Sequence, residues 1–107
     1  MAQNRSRNGS PERAEYVLHL YISGASPRSK RALTNVKEIC EEHLKGRYNL
    51  KVVDIFQSPA QLERDHIVAA PTLIRKKPLP VRRFIGDNLF DKDKLVSGLA
   101  ISDHGIN

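Results

Sequence analysis

The sequence is short of the groups that crosslink small proteins or anchor them in membranes. Cys40 is the single cysteine among 107 residues, so no disulfide can form within the chain. There is no tryptophan, and three phenylalanines and three tyrosines leave most of the core to Leu, Ile and Val. No apolar run approaches the ~20 residues of a membrane-spanning helix, and none of signal-peptide length follows the polar N-terminus. These absences predict one cytoplasmic domain that does not enter a membrane.

The chain also lacks the short motifs that mark catalytic and ligand sites. It has no G-x-x-x-x-G-K-[ST] phosphate loop, no G-x-S-x-G nucleophile elbow and no H-E-x-x-H zinc motif. Its four histidines are scattered one per predicted element, and Asp54 and Asp65 are too far apart in sequence to suggest a carboxylate pair. The sequence therefore predicts a protein without a catalytic site, a metal or a cofactor.

What the chain has in excess is positive charge. Lys and Arg number 18 against 12 Asp and Glu, which gives a net charge of +6. Such a balance is typical of proteins that bind nucleic acid, an anionic membrane or an acidic protein. Many cations lie beside acids, as in residues 63–65 and 91–94, so they cannot all form one patch. A solvated basic surface and an acidic protein partner both fit this layout, whereas nucleic acid is disfavoured.

The first half of the chain carries coherent local signals. Residues 16–22 form a nearly continuous apolar run, which predicts a central strand. Ser26 and Pro27 then suit the cap and first position of a helix that stops at Gly46. Cys40 belongs to the apolar stripe of this helix, so we expect a buried thiol. A second strand over residues 50–56 completes a parallel βαβ unit.

The second half gives shorter and weaker signals. They predict a helix over residues 59–66, a strand over 68–74 that is entered through Pro71, a basic loop over 75–80 and a strand over 81–86. A last helix begins after Asp91. Around this domain, residues 15–101, we expect a disordered basic arm (residues 1–14) and a frayed tail (residues 102–107).

The element order βαβαββα is that of the thioredoxin-like fold, which is our prediction for this single α/β domain. Thioredoxins need Cys-x-x-Cys where the first strand meets the first helix. This sequence has Gly-Ala-Ser-Pro at residues 24–27, which excludes dithiol chemistry there. Two alternatives to a protein-binding function stay open. One is a redox or stress protein that uses Cys40, and the other is a nucleic-acid-binding module that uses the basic segments 75–77 and 82–83.

Four segments together resemble the circadian clock protein KaiB: residues 16–24, 50–54, 70–73 and 80–87, which occur in KaiB's order and at nearly the same separations. The sensor domain of the clock histidine kinase SasA is similar too. The resemblance implies a non-catalytic clock component that binds a KaiC-type ATPase. It also implies self-association as a dimer or tetramer, and a second, resting fold in which the C-terminal half is rearranged.

The resemblance further implies which residues contact the partner. By motif match these are Arg31 on the first helix, Lys51 on the second strand, Arg75 after the third strand, and Arg82 with Arg83. Slow isomerisation at three X-Pro bonds, those of Pro71, Pro78 and Pro80, is the hypothesis for how the two folds interconvert. The sequence departs from KaiB in lacking its acidic C-terminal tail, which argues against KaiA as a partner.

Overall fold

The structure, a computed structural model, describes residues 14–57, 59–67 and 69–99. Its elements in chain order are β1 (Tyr16–Ile22), α1 (Pro27–His43), β2 (Tyr48–Asp54), α2 (Pro59–Asp65), β3 (Thr72–Lys77), β4 (Arg82–Ile85), a 3-10 helix (Gly86–Leu89) and α3 (Lys92–Leu99). The predicted order βαβαββα is confirmed.

The strands of the described residues form one mixed sheet in the order β2-β1-β3-β4. β1 runs parallel to β2 and antiparallel to β3, and β4 is antiparallel to β3. β1 is central because both of its faces are apolar. Leu18 and Leu20 pack in a large core with α1 and α3, while Tyr21 joins Val53 and Ile74 in a smaller core on the other face.

Local chemistry explains why α1 begins where it does. The Ser26 hydroxyl accepts a hydrogen bond from the Ser29 backbone N–H at 3.2 Å, and Pro27 occupies the first turn, where its missing N–H costs nothing. Ala32, Val36, Ile39 and Cys40 then recur at helical spacing, and all are buried. The predicted helix, its cap and the buried thiol are confirmed.

The predicted strand over residues 68–74 is wrong in its bounds. β3 begins after Pro71 and continues to Lys77, so the predicted basic loop starts three residues later than expected. The cause is pairing: Arg75 and Lys77 are register partners of Leu18 and Val17 in β1, and such cross-strand pairing outweighs a polar local pattern.

Smaller differences occur elsewhere. β2 starts and ends two residues before its predicted bounds, and the 3-10 helix after β4 was not predicted. The predicted arm (residues 1–14) and tail (residues 102–107) lie outside the described residues, except for Ala14, which is buried. The predicted domain, residues 15–101, is therefore described only as far as residue 99.

Candidate partner-binding surface

Two of the five predicted contact residues lie on the same face of the sheet. Lys51 pairs with His19, His19 with Ile74, and Ile74 with Arg83, so these residues form one row across all four strands. Because paired residues share a face, Lys51 and Arg83 stand at the two ends of this row, on the side that α2 covers. Both side chains are exposed.

Both residues also contact α2. Lys51 Nζ donates to the Gln61 side chain at 3.2 Å, and an Arg83 guanidinium nitrogen donates to the main-chain oxygen of Asp65 at 2.5 Å. The oxygen at the end of α2 has no partner within the helix and attracts a cation there. Lys51 and Arg83 thus hold α2 over the sheet and still expose charge to solvent.

Asp65 is the centre of the polar contacts beneath α2, although it is only 9% exposed. Tyr21 donates its hydroxyl to Asp65 Oδ2, and Lys76 Nζ donates to Oδ1 at 2.7 Å. His19 Nδ1 lies 3.8 Å from Oδ2 and is buried without a hydrogen-bond partner in the described part of the chain. We call these residues, Tyr21, Asp65, Lys76 and His19, the Asp65 cluster.

The electrostatics of the Asp65 cluster favour an ionised aspartate beside a neutral histidine. Burial opposes ionisation of Asp65, but hydrogen bonds from Lys76 and Tyr21 outweigh it and hold the pKa of Asp65 below its ordinary value. Burial, followed by the charge of Lys76, lowers the pKa of His19. Burial and the bond to Asp65 raise the pKa of Tyr21 to about 12, so its hydroxyl remains a donor.

Arg82 and Arg31 lie elsewhere on the surface. Arg82 is the neighbour of Arg83 in β4, so its exposed side chain is on the opposite face. Arg31 is exposed on α1, with its guanidinium 5.2 Å from the centroid of the Phe90 ring, and Arg28 lies over the same ring at 5.1 Å. The structure therefore does not bring the predicted contact residues together on one face.

Arg75 does not follow the third strand, as the sequence predicted, but lies inside it. Its side chain is 3% exposed and donates to the main-chain oxygens of Leu99 at the end of α3 and Pro80 in the β3–β4 connection, at 2.8 Å each. Arg75 Nε has no hydrogen-bond partner among the described residues. In this arrangement Arg75 links three elements and is not available to a partner.

The three prolines assigned to the conformational hypothesis flank β3. Pro71 is buried just before the strand, whereas Pro78 and Pro80 are exposed in the connection to β4. All three X-Pro peptide bonds are cis. Leu79 between them is 75% exposed, one of the larger apolar side chains left in solvent.

The position of a thioredoxin active site holds serines here. The Ser23 N–H donates to the Ser29 hydroxyl at 2.9 Å, and this turn contains no thiol. Cys40 is fully buried, and burial raises its pKa to about 12, so the thiolate required for redox chemistry is not populated near pH 7. The alternative of a redox function through Cys40 has no structural support.

The described residues also lack a metal-binding group and a membrane-spanning helix. Within residues 14–57, 59–67 and 69–99, no three His, Cys, Asp or Glu side chains are grouped so that they could hold a metal ion. None of the helices described is both long and apolar enough to cross a bilayer.

The Asp65 cluster and the contact of Arg28 and Arg31 with Phe90 were not predicted from the sequence. Asp65 stands in a Glu-Arg-Asp triplet that is typical of a solvated surface, and Tyr21 lies 44 residues away in sequence. The one available signal was the break in the apolar run at His19, which marks a polar neighbour on that face.

Comparison with known proteins identifies the family of this chain. A family model for the KaiB domain matches residues 19–99. The circadian clock oscillator protein KaiB of Trichodesmium erythraeum is 45% identical over 98 residues, which cover 92% of this chain and 93% of that protein.

Solved structures agree on the fold. The N-terminal domain of Synechococcus elongatus SasA has a TM-score of 0.65 at 22% identity, covering 81% of this chain and 85% of that one. Mitochondrial thioredoxin 3 of Saccharomyces cerevisiae has a TM-score of 0.66 at 14% identity, covering 81% and 78%. The fold is therefore thioredoxin-like, while the sequence relatives are circadian clock oscillator proteins. The chain belongs to the KaiB family.

Proposed function

We propose that this chain is a clock regulator that binds a KaiC-type ATPase through Arg31, Lys51, Arg82 and Arg83. One observation carries the proposal: these four residues are exposed, and none forms an ion pair with a carboxylate in residues 14–57, 59–67 and 69–99. An unpaired surface cation is free to meet an acidic group of a partner. We place this binding in the cytoplasm, since the partner consumes ATP.

The chain's charge supports a partner of opposite sign. With a net charge of +6, long-range attraction would speed encounter with an acidic protein. Arg75 is not in the proposed contact set, because it is buried and bonded to main-chain oxygens. Its proposed contribution is to hold β3, α3 and the β3–β4 connection in the binding-competent arrangement.

We also propose that the part of the chain after β2 adopts a second arrangement, in which the protein self-associates. The thioredoxin-like arrangement is the one that binds the ATPase. Support comes from family membership and from the short, ambiguous elements of the C-terminal half. Pro71, Pro78 and Pro80 are the positions where we place the difference between the two arrangements. A ligand that binds one arrangement better shifts the population toward it.

A capture experiment tests the proposal directly. The purified chain is immobilised and exposed to a purified KaiC-type ATPase, and the retained ATPase is measured at several protein concentrations. Replacing Arg82 and Arg83 together with Glu should abolish capture. Lys45→Glu, which reverses an exposed charge just after α1, is the matched control and should leave capture unchanged.

Two results would contradict the proposal. One is a failure of the unsubstituted chain to retain the ATPase, and the other is equal capture by the doubly substituted and control variants. Size-exclusion chromatography coupled to light scattering tests self-association separately, and a monomer at all concentrations would remove that part of the proposal.

A further inference from the structure

The outer edge of β4 is open. Among the described residues, β4 pairs only with β3, and none of its residues makes a backbone-to-backbone hydrogen bond outside that ladder. Every second N–H and C=O of such a strand is directed away from the sheet. An extended segment of another chain can use these groups to pair as an additional strand.

A groove runs beside this edge, between β4 and α3. Its polar lining is contributed by Arg82, Arg83, Asn88, Asp93, Lys94 and Ser97. Three of these side chains are cations and one is a carboxylate, so the groove is net positive. No carboxylate of the described residues forms an ion pair with Arg82, Arg83 or Lys94.

The floor of the groove depends on a close approach of α3 to β4. A Cβ on Gly98 would lie 2.4 Å from an atom of the Phe84 ring, so only glycine permits this packing. Phe84 is 6% exposed and turns toward the large core, while Arg82 and Arg83, which precede it in β4, remain exposed. The β4 edge thus presents backbone hydrogen-bonding groups beside the cations Arg82 and Arg83 of the same strand and Lys94 of α3.

We propose that β4 and this groove bind an extended acidic segment of a partner, which adds to the sheet as a fifth strand. Arg82 and Arg83 lie on opposite faces, so an added strand would meet one arginine on each face, and its carboxylates would pair with both. Lys94 adds a third cation on the α3 side. This inference deepens the proposed function and rests on it for the identity of the partner.

The same arginines also fit a second role, which the experiment must distinguish from docking. Charged side chains on an edge strand also prevent unwanted pairing, since they disfavour a second copy of the same strand. That role predicts no affinity for an acidic strand, whereas the docking role predicts binding that depends on both charge and backbone hydrogen bonds.

Synthetic peptides of about six residues, the usual length of a strand, test the docking role. The probe has two adjacent Glu residues flanked by Thr, so that one carboxylate lies on each face of the strand. It carries a fluorophore and is titrated with the full chain. Two further peptides are N-methylated on alternate residues. In each peptide the methyl groups lie along one edge of the strand, and the two peptides differ in which edge is methylated. Only the isomer methylated on the edge that faces β4 should lose affinity, by about tenfold or more, because it cannot donate to the strand. Equal affinity of both isomers, or equal loss in both, overturns strand addition.

Charge is tested with matched variants. Lys94→Glu should weaken binding of the Glu-Thr peptide by about fivefold to tenfold, and Lys45→Glu should have no effect. A Lys-Thr peptide should not bind. Binding of the Lys-Thr peptide as tightly as the acidic one, or no response to Lys94→Glu, overturns the acidic occupant.

The outcome is distinguishable from that of the proposed function because no ATPase is present. Capture of the ATPase without peptide binding overturns only the strand-addition inference. Peptide binding without capture of the ATPase overturns only the proposed function.

Discussion

Asp65 shows how one buried residue can organise side chains from three strands. Its side chain accepts from Tyr21 of β1 and Lys76 of β3, and its main-chain oxygen accepts from Arg83 of β4. Each donor comes from a different part of the sequence, so the contacts form only when the complete sheet is assembled. Asp65 therefore couples the position of α2 to the integrity of the sheet, including the strand that carries two proposed contact residues.

Removing the Tyr21 hydroxyl tests this coupling. We expect Tyr21→Phe to lower the free energy of unfolding by about 1.5–3 kcal/mol, since it deletes a hydrogen bond to a buried charge. Tyr48→Phe is the matched control, because Tyr48 donates at 2.6 Å to Glu41, whose side chain is exposed, and we expect a loss below about 1.5 kcal/mol. Urea denaturation measures both values, and equal losses would contradict a special role for Asp65.

The Asp65 cluster also predicts how stability depends on pH. His19 faces Lys51 of β2, Lys76 of β3, Asp65 of α2 and Tyr21 of its own strand, and its pKa in the fold lies below 6.5. The unfolded chain therefore binds this proton at a higher pH than the folded chain does. Stability should fall as the pH drops through 6.5 and level off below the folded pKa.

Replacement of His19 isolates its contribution to that profile. His19→Gln should flatten the decline just below pH 6.5, measured by urea denaturation at a series of pH values. A second decline, from Asp65, should remain as the pH falls below 3.8, because its lowered pKa makes the ionised form part of the fold. Identical slopes in the two proteins between pH 5 and 7 would show that His19 does not titrate with folding.

At the scale of elements, Arg75 joins the end of α3 and the β3–β4 connection to β3. Arg75→Met should destabilise the fold by about 1–3 kcal/mol, because two main-chain oxygens lose charge-assisted donors. Arg75→Lys should recover only part of this loss, since a single ammonium group cannot occupy both positions of the guanidinium. Thermal unfolding checks the order, and full recovery by Lys would show that charge alone is sufficient.

The same elements explain what the sequence could predict. β1 was predicted with its observed bounds and α1 with its observed start, because the run of apolar residues, the cap and the helical stripe all agree locally. α1 ends at His43, before the predicted stop at Gly46. β3 was misplaced because its Arg and Lys residues become strand through pairing with β1. The Asp65 cluster and the burial of Arg75 depend on contacts between residues that are distant in sequence, which a local pattern does not contain.

For the whole molecule, the proposed contact residues are distributed over two faces and α1. A partner that reaches Lys51, Arg31 and both arginines of β4 must therefore extend around an edge of the sheet. Arg82 and Arg83 are the only adjacent pair among them, so we expect the β4 edge to make the central contacts.

Charge distribution predicts the kinetics of such binding. Raising ionic strength from about 50 mM to 500 mM should slow association with an acidic partner by about tenfold or more and change dissociation much less. Arg82→Gln with Arg83→Gln should give a shallower dependence of association on salt. Stopped-flow measurements check both, and an association rate that does not respond to salt would exclude electrostatic steering.

The single thiol lies where it can report on the opening of α1. Cys40 is sealed between α1 and the sheet, and its raised pKa keeps it in the unreactive form. An alkylating reagent can modify it only during moments when α1 separates from β1 and β2. Because this βαβ unit precedes the segment proposed to rearrange, the rate of alkylation would distinguish exchange limited to the C-terminal half, which leaves Cys40 protected, from unfolding of the entire chain.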